Sequence, residues 1–178
     1  MRKTTAMILS ALLAALTAVG ALIRIPTPVS SFTLQILFSA MAGLLLGAKW
    51  GAVSQGVYLL LGLTGLPVFT GGGGPGAFLH PTGGFLVGMV AMAWVTGCIA
   101  REGRDPGRNL AAAMAGLGVL YAVGLPWMYL ILTCVLKQEW TVGQILWSGM
   151  LLFLPWDLLK TVAAVLLCGR IRSLLYRN

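Results

Sequence analysis

Acidic side chains are scarce in this chain: four Asp and Glu residues among 178, with a single histidine. One histidine leaves little from which to build a His-based metal centre or a Ser/His nucleophilic pair. There is no His-x-x-x-His, no Gly-x-Ser-x-Gly and no pair of acids inside an apolar stretch, which argues against an intramembrane enzyme. Cys98, Cys134 and Cys168 show no Cys-x-x-Cys or Cys-x-x-His spacing. Neither a disulfide frame nor a metal site is indicated, and each cysteine reads as a small buried apolar residue. Charged residues make up 9% of the chain, far below the roughly 25% of soluble domains. The formal charge of +8 comes from cations dispersed between apolar segments. No basic patch for nucleic acid results.

What is there is apolar sequence: 58% hydrophobic residues and a mean hydropathy of +0.92. Runs long enough to cross a bilayer recur along the whole length. The expected class is all-α, an integral membrane bundle forming a single domain over 1–178, with no linker or second domain. Six spans are read at 4–23, 33–48, 51–64, 83–100, 109–135 and 143–170. The first is preceded by Arg2-Lys3 and resembles a signal peptide, but it serves naturally as a retained first helix. Asp105-Pro106 supplies an N-cap and an N1 proline for the fifth span, and Thr141-Val-Gly-Gln144 a capping box for the sixth.

Charge placement sets the topology. With both termini cytoplasmic, the inner segments hold Arg2, Lys3, Lys49, Arg101, Arg104, Arg108, Arg170, Arg172 and Arg177. The outer segments hold only Arg24 and Lys137. That asymmetry fits the positive-inside rule and an even number of spans.

Asp157 and Lys160 are the only charges deep inside an apolar stretch. A spacing of three puts them on one helix face. A charge at bilayer depth costs at least ~2.5 kcal/mol, so it usually marks a functional site or is neutralised by a partner. Two readings stay open: an ion pair that helps the bundle pack, or a buried site for a small ligand with an anionic group and hydrogen-bond donors. Pro155 precedes the pair and removes a helix hydrogen bond, leaving the Leu151 carbonyl partly free.

Two outer loops are unusual. One runs from Arg24 to Gln35. The other, Gly65–Gly84, has no charge and interleaves Val68, Phe69, Phe78 and Leu79 with glycines. Such a loop is expected to pack back into the protein and line a cavity. Gly71–Gly74 lack the Gly-Lys-Ser/Thr of a phosphate loop and read as turn glycines. His80 is either a loop anchor or a ligand contact, and Gln35 either caps its helix or faces the same cavity. Trp140 and Trp147 read as an interfacial belt, Trp156 as a pocket wall. Ala11/Ala15, Ala14/Ala18, Gly43/Gly47 and Gly84/Gly88 are small-residue pairs that permit close helix approach.

Gly65-Leu-Pro-Val-Phe-Thr-Gly-Gly-Gly-Gly, Pro81-Thr-Gly-Gly-Phe-Leu86 and Pro155-Trp-Asp-Leu-Leu-Lys160 together resemble the BioY family, as do Ile25-Pro26 and Phe32-Thr-Leu-Gln35. These are the biotin-specific S-components of energy-coupling factor (ECF) transporters. The resemblance implies a multi-pass plasma-membrane protein that takes biotin from the outer side. It implies as partners an ECF transmembrane coupling subunit and two cytoplasmic ATPases, which would use the ATP. It also assigns the Ala-x-x-x-Ala face of the first helix, Ala11/Ala15 or Ala14/Ala18, to the coupling subunit. The residues expected to meet the ligand are Asp157, Lys160, His80, Gln35, Gly83, Gly84, Tyr121 and Trp156. Biotin's carboxylate suits Lys160, and its ureido N–H groups suit Asp157 or a loop acceptor. The competing reading is a self-sufficient secondary transporter of biotin or a similar vitamin, with Asp157 as proton carrier. One buried acid and no inverted repeat argue against it.

Overall fold

The computed structural model describes residues 3–26, 31–100 and 105–175. Arg2, Arg101, Arg104 and Arg177, counted in the topology, lie outside the described residues. The helices are α1 (Lys3–Leu22), α2 (Gln35–Leu63), α3 (Gly83–Ile99), α4 (Pro106–Leu130), α5 (Val142–Leu146) and α6 (Leu154–Leu175). Turns of π-helix carry α4 on through Val135 and α5 on through Leu151. Between α1 and α2, the three-residue strands β1 (Arg24–Pro26) and β2 (Ser31–Thr33) pair antiparallel, with Arg24 opposite Thr33. Among the described residues, four helical runs are long and apolar enough to cross a membrane: Lys3–Leu22, Gln35–Leu63, Pro106–Val135 and Val142–Arg172. Gly83–Ile99 is a shorter apolar helix. This is a multi-pass membrane protein.

The second and third expected spans are two halves of α2, broken at Gly47, whose φ of 75° and ψ of −178° no helix contains. Glycine reaches that backbone without steric cost. The halves fold back on each other: Gln35 bonds Tyr58, Ser39 bonds Gln55, and a Cβ on Gly51 would sit 3.0 Å from the Ala42 carbonyl oxygen. All three pairs centre on Gly47. Gly47 therefore makes a reversal instead of sharing a packing face with Gly43. Gly43 itself abuts α3, where a Cβ would lie 2.5 Å from the Ala93 carbonyl oxygen.

Polar side chains inside the bundle satisfy one another. Ser39 donates to Gln55 at 2.8 Å, and Gln55 donates to Thr17 at 3.2 Å, which joins α1 to both halves of α2. In hydrocarbon an unpaired amide would cost several kcal/mol, so these bonds fix how the helices seat.

The caps form as expected. The Asp105 carboxylate accepts from the Gly107 and Arg108 amides, and Thr141 with Gln144 makes a full capping box. The cysteines differ: Cys168 is buried, but Cys98 and Cys134 are exposed on the bundle's exterior. A thiol is apolar enough to face lipid as readily as a core, so the apolar run around each did not fix its direction.

The two alanine pairs of α1 face different ways. Ala14 is 2% exposed and packs into the core with Leu13, and Ala18 is half-buried against it. Ala11 and Ala15 are exposed, beside Met7, Ile8 and Leu12. Ala14 and Ala18 are thus bundle contacts and leave the free face, because a helix turns about 100° per residue and only one of the two stripes can point outward.

Candidate functional site

The centre of the site is set by α6. Pro155 stands in the first turn of α6. It opens α6 within the longer helical run Val142–Arg172, and having no N–H it cannot bond the Leu151 carbonyl, as the sequence implies. Asp157 falls in the same first turn, where the helix dipole favours a carboxylate. Phe153, Asp157 and Lys160 then share one face by helical spacing.

Asp157 and Lys160 are closed on each other and on two neighbours. The Lys160 ammonium lies 2.5 Å from Asp157 Oδ1 and donates to the Thr33 carbonyl at 2.9 Å. The other carboxylate oxygen, Oδ2, accepts from the Tyr121 hydroxyl on α4 at 2.5 Å. Asp157 is 2% exposed. A buried charge needs this density of partners, because desolvation costs several kcal/mol per ion. Lys160 has one N–H left to offer, and the Asp157 carboxylate retains lone pairs. Acceptor and donor stand side by side on a formally neutral floor.

Above that floor is a cavity of about 360 Å³, lined by the β1–β2 hairpin, the glycine-rich loop, α3, α4 and α6. Its size falls at the low end of small-molecule sites, roughly 300–1,000 Å³. Arg24, Thr33 and Gln35 come from the hairpin and the start of α2; Phe85, Met89, Tyr121 and Phe153 form apolar walls. The glycine-rich loop supplies the roof through Phe69–Gly73, Gly76 and Ala77.

That loop folds back as expected, and specific contacts explain how. Phe69 is buried against Gly62, where a Cβ would lie 2.0 Å from its ring, and it meets the Tyr58 ring edge-on at 5.5 Å. The Gly74 amide donates to the Gly62 carbonyl at 2.7 Å, and Phe69 and Gly72 exchange backbone hydrogen bonds. Gly72 and Gly74 have φ of 113° and 95°, left-handed backbone that a side chain would strain. The second half of the loop is a 3₁₀ turn, Pro75–Leu79, whose Phe78 packs on Trp127 of α4.

Of the eight residues expected to meet a ligand, Asp157, Lys160, His80, Gln35 and Tyr121 line this cavity. His80 is exposed at the rim, its Nδ1 2.8 Å from the Thr82 hydroxyl oxygen. Gln35 is buried; it accepts from the Thr33 hydroxyl and donates to the Tyr58 hydroxyl at 2.7 Å. Three residues do not line it. A Cβ on Gly84 would lie 2.2 Å from Trp127, and Gly83 is pressed between the Ala77 carbonyl and the same indole. These two glycines let α3 approach α4 and the loop. Trp156 is 56% exposed, because the residue before Asp157 is rotated about 100° from it.

Sequence reasoning missed Arg24, Thr33, Met89 and Phe153 as lining residues. Phe153 was accessible, since it lies four residues before Asp157 on the same helix face. Arg24 was read only as a topology charge. Its position opposite Thr33 in the hairpin had no periodic signal.

Comparison with known proteins covers nearly the whole chain. The protein-family model described as the BioY family matches residues 1–177. The probable biotin transporter BioY of Lysinibacillus sphaericus is 39% identical over 172 residues, 96% of this chain and 88% of that protein. The biotin transporter BioY of Thermotoga maritima is 36% identical over 161 residues, 90% of this chain and 91% of that protein. The crystal structure of the S-component for biotin from an ECF-type ABC transporter aligns with a TM-score of 0.83 at 30% identity, covering 96% of this chain and 92% of that one. A match over nearly every residue, in sequence and in three dimensions, means that the chain belongs to the BioY family.

Proposed function

We propose that this protein binds biotin from the outer side of the cell membrane and hands it to an ATP-driven partner for uptake. The single observation that carries the reading is the neutral, hydrogen-bonded floor of Asp157, Lys160 and Tyr121 beneath an apolar-walled cavity. A cyclic urea presents N–H donors and a carbonyl acceptor on one edge, which suits the remaining lone pairs of Asp157 and the remaining N–H of Lys160. The fused ring and tail suit Phe85, Met89 and Phe153. Because Lys160 already serves Asp157 and Thr33, the biotin carboxylate is better met by Arg24 at the rim. That revises the sequence reading, in which Lys160 took the carboxylate.

Six passes with both termini cytoplasmic remain the topology we favour, each half of α2 counting as one pass. The described cations Lys3, Lys49, Arg108, Arg170 and Arg172 belong to helix ends or turns on the Gly47 side of the bundle, which supports that orientation under the positive-inside rule. Residues 1–178 then act as one substrate-binding domain. The partners in this reading are an ECF transmembrane coupling subunit, docking at Ala11 and Ala15, and two cytoplasmic ATPases.

The test is a binding isotherm of the purified protein with biotin, with riboflavin and thiamine as controls. Saturable binding of biotin alone is expected. Equal binding of the controls, or none of biotin, would sink the reading.

A further inference from the structure

A hydrogen-bonded chain leaves the floor of the cavity and ends in its roof. Lys160 donates to the Thr33 carbonyl at 2.9 Å, and the Thr33 hydroxyl donates to Gln35 Oε1 at 3.0 Å. Gln35 Nε2 donates to the Tyr58 hydroxyl at 2.7 Å, which donates in turn to the Val68 carbonyl at 3.1 Å. Val68 immediately precedes Phe69–Gly73, the strip that roofs the cavity. Tyr58 is 1% exposed and does not line the cavity, so it meets no ligand there. Its ring is already held by Phe69. Packing alone therefore gives no reason for a hydroxyl at this depth, where an unpaired one would be costly.

We propose that Tyr58 is a positioning residue: its hydroxyl latches the glycine-rich roof to the Lys160 floor, so that a ligand held at the floor also holds the roof shut. The reading rests on biotin as the ligand. Each step from Thr33 onward runs from one donor to one acceptor, so a shift of Lys160 towards a ligand is felt at Thr33, and through Gln35 at Tyr58. The strip Phe69–Gly74 is also tied to its stem by the Gly74 amide on the Gly62 carbonyl and by Phe69 in the Gly62 notch, and beyond it Phe78 packs on Trp127. Tyr58 is the hydrogen-bonded link by which the floor acts on this strip.

The experiment follows biotin dissociation from the purified protein, with amide exchange across residues 66–74 in the bound state. Tyr58→Phe keeps the ring and strands two buried partners, Gln35 and Val68. Dissociation is expected to quicken about ten-fold, with exchange rising at Phe69, Gly72 and Gly74. Thr33→Val, at the other end of the chain and remote from the loop amides, should raise exchange at the same three positions. In the double variant the two effects on dissociation should be less than additive, because the second cut severs a chain already broken. Unchanged dissociation in Tyr58→Phe, or fully additive effects with exchange altered in neither variant, would overturn the latch while leaving biotin binding intact. A protein that holds no biotin at all would instead overturn the functional reading, and the latch with it.

Discussion

Lys160 reaches the main-chain carbonyl of Thr33 at 2.9 Å, across 127 residues of sequence. The bond ties α6 to the β1–β2 hairpin and leaves a lysine that is largely spoken for before any ligand arrives. Its remaining capacity is one N–H beside a partly filled carboxylate, which on the proposed reading favours a neutral polar edge over an anion.

Removing Lys160 alone should hurt the fold as well as binding. Lys160→Met leaves the Asp157 charge buried without its partner, a loss of about 3–5 kcal/mol. Asp157→Asn combined with Lys160→Met removes both charges and should regain most of the melting temperature without regaining biotin affinity. Recovery of affinity in the double variant would show that the pair is purely structural.

Arg24→Gln should separate the two ends of the ligand. If Arg24 faces the carboxylate at the rim, the variant weakens biotin roughly five-fold and leaves biotin methyl ester unaffected. High salt should reduce the difference, since an exposed guanidinium is screened. Equal losses for acid and ester would remove Arg24 from carboxylate recognition.

The floor was legible because charge in an apolar run is rare and a spacing of three fixes a shared face. The caps at Asp105 and Thr141 were legible for a similar reason: both rest on contacts within four residues. What could not be read depended on long-range folding. The apolar runs at 33–48 and 51–64 imply a turn between them, but hydropathy could not supply its seat at Gly47 or the contacts across it, such as Ser39 with Gln55. Trp156 was placed by adjacency to Asp157, although neighbours on a helix point about 100° apart. Arg24 enters the cavity through a three-residue strand pairing that carries no pattern of its own. Cys98 and Cys134 sit in runs apolar on all sides, where a membrane gives no inward preference.

Gly62→Ala should open the roof. The added methyl would sit 2.0 Å from the Phe69 ring, which has to leave its notch. A strain of about 1–3 kcal/mol is expected, seen as a lower melting temperature and as faster exchange across residues 66–74 in the bound state. Adding Phe69→Leu, which gives the methyl more room, should recover part of the stability. A Gly62→Ala protein with unchanged exchange in this loop would show that the notch does not hold the roof.

The two faces of α1 should respond oppositely to bulk. Ala14 is buried against the core, so Ala14→Trp forces α1 away from α2 and is expected to lower the melting temperature and biotin affinity together. Ala11 and Ala15 lie outward, and an indole there meets only lipid in the isolated protein. Ala11→Trp and Ala15→Trp should therefore keep biotin binding intact. Helix contacts in lipid depend on close van der Waals fit and have no hydrophobic drive to compensate a bad one. If this stripe is where the coupling subunit docks, the same two variants lose co-purification with that subunit and lose ATP-driven uptake in vesicles. Full uptake by both would move the docking surface elsewhere on the bundle, and lost biotin binding in either would place these alanines among the contacts that hold the cavity together.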